Sequence, residues 1–283
     1  MHYFMLQALV VERRMQHVLK GWAKQVLTRP RAAAFMARLV WILGQKHPLK
    51  LRCQLRLNWS VRIANVKELG MPLADFARAN LHGLLLAAGQ SSRMGPENKL
   101  LVEFVGKPLV RYVAETMIAA GLDDMTVVIG YQADQVAAAL ADLPVHLLFN
   151  PDFAAGQGYS VAAGVSALDG AVTDALIALG DMPLISSEMM QNLVEAHLEC
   201  DDHQRRITLP SCDGKRGNPV IWGSAFFPEL KQLRGDAGGR QVLQDHLAVQ
   251  NPVEILSSAI FRDIDTLEDL HALNTGTIGT IGR

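Results

Sequence analysis

Residues 83–101 read Gly-Leu-Leu-Leu-Ala-Ala-Gly-Gln-Ser-Ser-Arg-Met-Gly-Pro-Glu-Asn-Lys-Leu-Leu, and this stretch decides the fold. A short apolar run ends at Gly89 and passes into a loop that contains glycine, serine, one arginine and one lysine. A uniformly apolar run of this length is typical of a parallel strand that is buried on both faces. Open α/β sheets bind ligands at the carboxyl ends of such strands, which is where this loop stands.

The chain downstream repeats the alternation of strand and helix. Apolar runs at 125–130, 145–149 and 175–180 are separated by helix-length stretches at 109–120, 133–141, 159–168 and 187–199. Such βαβ units predict the α/β class, with a Rossmann-like, three-layer, mostly parallel sheet. After residue 206, short strands, two helices and Gly-rich turns predict a smaller irregular lobe that is added to the sheet.

Composition narrows the class of protein. The 283 residues are 49% hydrophobic and 19% charged, with a net charge of −1, which excludes collagen-like and wholly disordered chains. The three cysteines form no C-x-x-C pair, and we identify no histidine pair at zinc spacing, so neither a disulfide framework nor a structural zinc site is expected. Without a secretory signal or an apolar run that could span a bilayer, we expect a soluble cytoplasmic protein with no membrane partner.

Charge divides the chain into two parts. Residues 1–82 contain 14 Lys and Arg against 3 Asp and Glu, or +11, whereas the remainder contains 13 against 25, or −12. We therefore predict a basic N-terminal extension over 1–80, a catalytic domain over 81–274 and a flexible tail over 275–283. The extension has two interpretations: a helical appendage that touches nucleic acid or anionic lipid, or a translation start that lies further downstream, near Met71.

The loop that follows the first apolar run has the composition of a phosphate site. Small residues at Gly89, Ser91, Ser92 and Gly95 let backbone N–H groups approach an anion, and Arg93 and Lys99 add positive charge. The spacing fits neither the dinucleotide fingerprint G-x-G-x-x-G nor a Walker A loop. No nucleic acid is expected to bind this part of the chain.

Two carboxylates are candidate metal ligands. Asp181 directly follows the apolar run 175–180, and Asp265 stands in Asp263-Ile-Asp-Thr266 between a strand and a helix. Carboxylate oxygens at the edge of a sheet are well placed to hold Mg²⁺ against phosphate oxygens. Each also has a plainer interpretation, since Asp181 could end a turn and Asp265 could cap the helix that follows it.

Several motifs in fixed order carry a family resemblance. They are Leu86-Ala-Ala-Gly-Gln-Ser-Ser-Arg-Met-Gly95 with Asn98-Lys99, Gly156-Gln-Gly-Tyr-Ser160, Gly180-Asp-Met-Pro183, Gly217-Asn-Pro-Val220, Gly235-Asp-Ala-Gly-Gly-Arg240 and Asp263-Ile-Asp-Thr266. Together they resemble the MobA-like nucleotidyltransferases, and within them the molybdenum cofactor cytidylyltransferase branch. The resemblance covers about 81–273 and leaves the basic extension unexplained.

The resemblance implies a nucleotidyltransferase-type sheet and a Mg²⁺-dependent reaction. CMP would pass from CTP to the terminal phosphate of molybdopterin, and the product would be delivered to a client molybdenum hydroxylase. The implied catalytic residues are Lys99 and Arg93, and the implied metal ligands are Asp181 and Asp265. The nucleotide-binding residues would be Ala87, Ala88, Gly89, Ser91, Ser92, Arg93, Gly95, Lys99, Gly158 and Ser160. The molybdopterin side would be bound by Asn218, Gly239 and Arg240.

Alternatives remain open at this level. The guanylyl-transferring relatives typically have Leu-Ala-Gly-Gly where this chain has Leu86-Ala-Ala-Gly89. The methyl group of Ala88 therefore favours cytosine, and this argument rests on a single residue. Transfer from GTP, transfer to another phosphorylated acceptor, and a non-catalytic cofactor chaperone are the rival functions. Ser160 could instead cap a helix, and Arg240 could instead pair with Asp236.

Overall fold

The computed structural model describes residues 80–90, 98–264 and 269. The predicted extension, apart from residue 80, and the predicted tail lie outside these residues. Ten strands are present in the described part: β1 (Leu81–Ala87), β2 (Glu103–Phe104), β3 (Lys107–Pro108), β4 (Met125–Ile129), β5 (His146–Phe149), β6 (Asp174–Leu179), β7 (Ile207–Cys212), β8 (Lys215–Arg216), β9 (Val220–Gly223) and β10 (Gln250–Glu254).

Six α-helices accompany these strands in the described residues. They are α1 (Leu109–Ala119), α2 (Ala133–Leu140), α3 (Gln157–Ser166), α4 (Ser187–Leu198), α5 (Phe227–Leu230) and α6 (Arg240–Asp245). Helices α1 to α4 and strands β1, β4, β5 and β6 all fall within a few residues of the segments that the sequence predicts. The observed ends lie close to the predicted ends because each segment is bounded by a change from apolar to polar residues.

One central sheet has the order β10-β7-β9-β6-β1-β4-β5, with β8 paired to β7. Strand β1 pairs in parallel with both β4 and β6, and β4 pairs in parallel with β5. The order reverses around β1, so the loop after β1 stands at the point where open α/β sheets bind ligands.

The sheet is covered on both faces, which confirms the predicted three-layer α/β fold. Alternate residues of β1 point to opposite faces: Leu85 packs with residues of α1, α2 and α4, and Leu84 packs with residues of α3, α5 and α6. Both leucines are completely buried. Burial on both faces explains why β1, β4 and β6 are continuous apolar runs rather than alternating ones.

The segment after residue 206 extends the central sheet more than the sequence predicts. Strand β9 pairs antiparallel with β6 and with β7, and β10 pairs in parallel with β7. The irregular part is therefore confined to the connections, which include the loop 231–239 between α5 and α6. Within the described residues no helix is long and apolar enough to cross a membrane.

Candidate functional site

A cleft of about 490 Å³ opens at the carboxyl ends of β1 and β6. Its walls come from the ends of these two strands, from the first turn of α3 and from loops late in the chain. It is lined by Leu86, Ala88, Gly89, Gln90, Lys99, Leu100, Phe153, Ala154, Gly156, Gln157, Ser160, Leu179, Asp181, Asp236 and Asp263. Backbone groups, one ammonium group (Lys99) and three carboxylates (Asp181, Asp236 and Asp263) thus line the same cleft.

Asn98 holds the backbone that carries Lys99. Its side-chain Oδ1 accepts a hydrogen bond from the Leu100 N–H at 3.0 Å, and its Nδ2 donates to the Tyr131 carbonyl at 3.2 Å. Asn98 is only 3% exposed and caps a short 3₁₀ helix over Lys99–Leu101. A buried amide that bonds two separate segments fixes the turn, so Lys99 leaves it in a defined direction.

Lys99 and Asp181 meet inside the cleft. Lys99 Nζ donates to Asp181 Oδ2 at 2.7 Å, and the two side chains are 14% and 19% exposed. Charges that are shielded from water in this way interact more strongly than surface ion pairs do. The two residues are 82 positions apart in the sequence, and they meet because each follows one of two neighbouring parallel strands, β1 and β6.

The second oxygen of Asp181 is left for another partner. Its Oδ1 is buried, and no donor among the described residues makes a hydrogen bond with it. A buried carboxylate oxygen without a partner is costly, so its presence in a cleft indicates a site for a ligand or a cation. Oxygen donors of this kind are what Mg²⁺ and Mn²⁺ prefer.

The backbone of Asp181 brings a second acidic segment to the cleft. The Ile264 N–H donates to the Asp181 carbonyl at 2.9 Å, and the preceding Asp263 lines the cleft. On the other side, the Gly180 N–H donates to the Leu86 carbonyl at 3.0 Å, which holds the end of β6 against β1. Asp181 is therefore fixed from both directions along its backbone.

The opposite wall depends on a close backbone approach. A Cβ at Gly156 would stand 2.4 Å from the Gly235 carbonyl carbon and 2.5 Å from Asp236 Oδ1, and its φ is +117°. The Gly158 N–H donates to the Gly235 carbonyl at 2.7 Å. Only glycine fits this conformation and contact, and the contact places Asp236 in the wall of the cleft.

A buried pair orients the polar group on α3. Asn150 Nδ2 donates to Ser160 Oγ at 3.1 Å, and Asn150 Oδ1 accepts from the Asp152 N–H at 3.0 Å. Asn150 and Ser160 are 2% and 5% exposed. Because the Asn150 amide donates to the hydroxyl oxygen, the Ser160 proton is directed elsewhere.

The predicted site residues divide into three groups. The structure places Ala88, Gly89, Lys99, Ser160 and Asp181 in the cleft. The predicted residues that do not line it are Ala87, Gly158, Asn218, Gly239 and Arg240. Those outside the described residues are Ser91, Ser92, Arg93, Gly95 and Asp265.

The predicted site residues that do not line the cleft have other surroundings in the structure. Ala87 is buried in the core, and Gly158 packs under the Arg234 and Gly235 carbonyls. Gly239 lies against the Trp222 ring, where a Cβ would be 2.8 Å from Cζ2. Asn218 donates its backbone N–H to the Ile260 carbonyl and lies with Met182 and Met190 around a small apolar cavity. Its predicted substrate role, like that of exposed Arg240, stays a prediction.

Two of the three plainer interpretations do not hold in the described residues. Helix α3 begins at Gln157 with Gly156 before it, so Ser160 is not its cap. Asp181 does lie in the turn that follows β6, but it also pairs with Lys99. No ion pair joins Arg240 to Asp236 within the part of the chain that the structure describes.

The sequence interpretation gave no role to four residues that shape the cleft: Asn98, Asn150, Asp236 and Asp263. Asp263 belongs to the same Asp-x-Asp motif as Asp265, so the motif itself was a sufficient signal. Asn98 stands in the motif with Lys99, and Asn150 directly follows an apolar run, but neither was given a role in the site. Asp236 stands in the motif Gly235–Arg240 and was considered only as a partner of Arg240, because its place in the cleft depends on the contact between two glycine turns.

Comparison with known proteins shows the family to which the chain belongs. The pattern of the MobA-like NTP transferase domain matches residues 83–251. The chain is 30% identical to nicotine blue oxidoreductase of Paenarthrobacter nicotinovorans over 68% of its length and 95% of that protein. It is also 30% identical to the purine catabolism protein PucB of Bacillus subtilis, over 67% of its length and 93% of that protein.

Solved structures show the same fold. A nucleotidyl transferase from Methanothermobacter thermautotroptrophicus aligns with a TM-score of 0.60 at 21% identity, over 69% of this chain and 96% of that one. Rv0371c of Mycobacterium tuberculosis, in complex with manganese, aligns at 0.59 and 20% identity, over 69% and 98%. The matched domain contains most of β1, the Lys99–Asp181 pair and most of the cleft, and the chain belongs to the MobA-like NTP transferase family.

Proposed function

We propose that the protein transfers CMP from CTP to the terminal phosphate of molybdopterin, with release of pyrophosphate. The observation that carries the proposal is the meeting of Lys99 and Asp181 at 2.7 Å in a cleft at the ends of β1 and β6. A reaction between two phosphates needs positive charge near both of them. The ammonium group supplies such charge directly, and the carboxylate, with one unpartnered oxygen, offers a site for a cation.

The chemistry requires no nucleophile from the protein. An oxygen of the molybdopterin phosphate forms a bond to the α-phosphorus of CTP, and the bond from that phosphorus to the bridging oxygen of the β-phosphate breaks. The electron pair of the broken bond leaves with pyrophosphate. Catalysis then consists of holding the two phosphates in line and offsetting their charge.

Lys99 supplies charge where the reaction needs it. Its ammonium group is held by the capped turn at Asn98 and is already in the cleft, so it is positioned before substrate binds. A preorganised cation at the α-phosphate stabilises the added charge of the transition state more than that of bound CTP. Arg93, which lies outside the described residues, is proposed to contact the departing phosphates.

The donor set fits a divalent cation. Asp181, with its unpartnered Oδ1, and Asp263 both line the cleft, and Asp265 stands two residues further along the chain. We propose that Asp181 holds Mg²⁺ together with Asp263 or Asp265. Bound there, the ion would supply positive charge to the triphosphate. The manganese complex of the structural neighbour Rv0371c is consistent with divalent-metal use.

Ala88 supports cytosine over guanine. Its methyl group lines the cleft and approaches Gly130 so closely that a Cβ on Gly130 would be 2.9 Å from it. The wall is thus filled at the position where the guanylyl-transferring relatives have glycine. Less room beside the base favours the smaller pyrimidine.

One relative has a name from another reaction class. Nicotine blue oxidoreductase is 30% identical and aligns over nearly its whole length, so a redox reaction is a second candidate function. The three carboxylates and the lysine of this cleft suit phosphate and cation binding better than a dinucleotide site, and the loop after β1 lacks the G-x-G-x-x-G spacing. We therefore favour nucleotidyl transfer.

The test is a matrix of substrates with pyrophosphate release as the readout. CTP or GTP is supplied with molybdopterin, with a sugar phosphate as another acceptor, or with no acceptor, in the presence of Mg²⁺ or of a chelator. We expect release only with CTP, molybdopterin and Mg²⁺ together. Release with GTP and molybdopterin but not with CTP would move the assignment to guanylyl transfer, and release with the sugar phosphate but not with molybdopterin would change the acceptor. Binding of molybdopterin without any turnover would favour a chaperone.

Two variants connect the activity to the cleft. Asp181→Asn keeps the shape of the side chain and removes its charge, so we expect loss of both turnover and Mg²⁺ dependence. Asp201→Asn makes the same chemical change at an exposed position and should leave turnover unchanged. Reduction of nicotine blue by a supplied electron donor, in place of pyrophosphate release, would support the redox candidate and contradict the proposal.

A further inference from the structure

A second group of metal-ligating side chains lies away from the cleft. Asp174, His197 and His203 each offer a ligand atom, and these atoms all lie within 4.8 Å of one another. We propose that this cluster, here called the Asp-His-His cluster, binds one zinc-class divalent ion that holds the carboxyl end of α4 to the sheet.

Distances within the cluster suit a metal. Asp174 Oδ1 is 2.9 Å from His197 Nε2, and Asp174 Oδ2 is 3.0 Å from His203 Nδ1. In a tetrahedral site with bonds of about 2.0 Å, neighbouring ligand atoms are about 3.3 Å apart. The side chains therefore need only small adjustments to surround an ion. Two histidines and one carboxylate, with water as the fourth ligand, form a common zinc donor set.

One ligand atom of the cluster has no hydrogen bond. His203 Nδ1 is buried, and although it is close to Asp174 Oδ2, its direction does not form a hydrogen bond. A buried imidazole nitrogen without a hydrogen bond is unfavourable unless a proton or a metal ion is directed at it. The His203 side chain is 20% exposed, so the Asp-His-His cluster lies close to the protein surface.

Groups around the cluster orient its ligands. His197 is fully buried, and its Nδ1 lies 2.8 Å from Thr208 Oγ1 on β7, which leaves Nε2 to face Asp174. Thr173 Oγ1 donates to Asp174 Oδ2 at 2.7 Å. A hydrogen bond at the second ring nitrogen fixes the tautomer of a metal-binding histidine, and such outer partners are typical of zinc sites.

The carboxylate of Asp174 is fully buried, and a buried anion is stable only when it is paired or coordinates a cation. His197 Nε2 and Thr173 Oγ1 lie within hydrogen-bond distance of it. A divalent ion would compensate its charge more completely than these contacts do.

The position of the cluster separates it from the reaction. Asp174 begins β6 and Asp181 follows its end, so the two carboxylates are about 23 Å apart along the strand. His197 is in the last turn of α4, and His203 begins the 3₁₀ helix His203–Arg205. An ion there would tie three elements together and contribute to stability rather than to turnover.

The sequence analysis did not predict this site. Cysteine pairing gave no reason to expect zinc, but His197 and His203 are separated by five residues, within the range of zinc-binding histidine pairs. The third ligand comes from 23 residues upstream and is brought in by the pairing of β6 with the rest of the sheet.

The test measures zinc binding by the full-length protein. The protein is stripped with a chelator, reloaded with Zn²⁺, and its bound zinc and thermal midpoint are compared with those of His203→Ala. His203 is partly exposed and lies in a short 3₁₀ helix rather than in the core, so this variant should fold. His246→Ala removes a histidine that pairs with Glu229 elsewhere and serves as the matched control.

We expect wild type and His246→Ala to bind one more zinc equivalent than His203→Ala, with affinity at that site reduced at least about 100-fold in the variant. Zinc should raise the thermal midpoint of wild type but not of His203→Ala, and Co²⁺ should give the visible bands of a four-coordinate site only when His203 is present. Equal zinc content and equal midpoint shifts in the two proteins would overturn the proposal. Any zinc bound in the cleft should be the same in wild type and in His203→Ala, so it does not change the difference in zinc content between the two proteins.

Discussion

Lys99 illustrates how a single residue acquires its role from its position. The turn that carries it is capped by buried Asn98, and its Nζ reaches Asp181 across the cleft. A lysine on an unsupported loop would lose entropy on binding substrate, whereas this one is ordered beforehand. Its contribution should therefore appear in the rate of the chemical step.

We expect Lys99→Ala to lower kcat by about tenfold or more while changing the KM for CTP much less, because the interaction is strongest in the transition state. Steady-state kinetics of the variant measure both constants. Lys107→Ala is the control, since Lys107 pairs with Glu115 outside the cleft. Wild-type kcat in Lys99→Ala would contradict the assigned role.

Ala88 is the residue at which base preference can be changed. Removal of its methyl group opens the wall next to Gly130, and one methyl group in a pocket is worth about 1–3 kcal/mol of discrimination. We expect Ala88→Gly to raise kcat/KM for GTP relative to CTP by about tenfold. Competition between the two nucleotides in one reaction gives the ratio directly. An unchanged ratio would mean that the base is selected by other residues.

Some of these residues could be predicted from sequence and others could not. Gly89, Lys99 and Asp181 could, because residues that follow neighbouring parallel strands meet at one edge of the sheet. Asp236 could not, because its place in the cleft depends on the contact between Gly156 and Gly235, which no local pattern encodes.

The turn before α3 is the element on which the far wall of the cleft depends. Gly156 has a positive φ and contacts Gly235 and Asp236 too closely for any side chain. We expect Gly156→Ala to lower the free energy of unfolding by about 1–3 kcal/mol and to raise the KM for CTP, because the two turns must separate. Urea unfolding and steady-state kinetics measure the two effects.

Gly170→Ala is the matched control for that change. A Cβ there would meet nothing within 4 Å, so its effect should stay within about 0.5 kcal/mol. Equal stability of the two variants would show that the 231–239 loop does not depend on the contact with Gly156.

Secondary structure was predictable where burial dictates the pattern. Strands β1, β4 and β6 are apolar apart from one buried polar residue each, His82, Thr126 and Asp174, because both of their faces are covered. The antiparallel pairing of β9 with β6 was not predictable, because Val220 and Ile221 would fit either direction of pairing equally well. Tertiary contacts decide that choice.

At the scale of the whole molecule, the match to the family begins at residue 83, and the described sheet begins with β1. We propose that the basic residues 1–70 are not needed for catalysis. A chain that starts at Met71 should keep full nucleotidyl transfer, measured by pyrophosphate release. If the basic segment contacts nucleic acid, binding should fall steeply with salt and be lost in the shortened chain. A large loss of turnover would show that the segment takes part in the active site.

The central claim is that this cleft joins two phosphates at the α-phosphorus of CTP. The most direct measurement follows CTP labelled at the α-phosphate or at the γ-phosphate, incubated with molybdopterin and Mg²⁺, with products separated by chromatography. We expect the α label in the pterin dinucleotide and the γ label in pyrophosphate, with neither transfer in Asp181→Asn. Appearance of the γ label in the pterin product, or of neither label in any product, would contradict the claim.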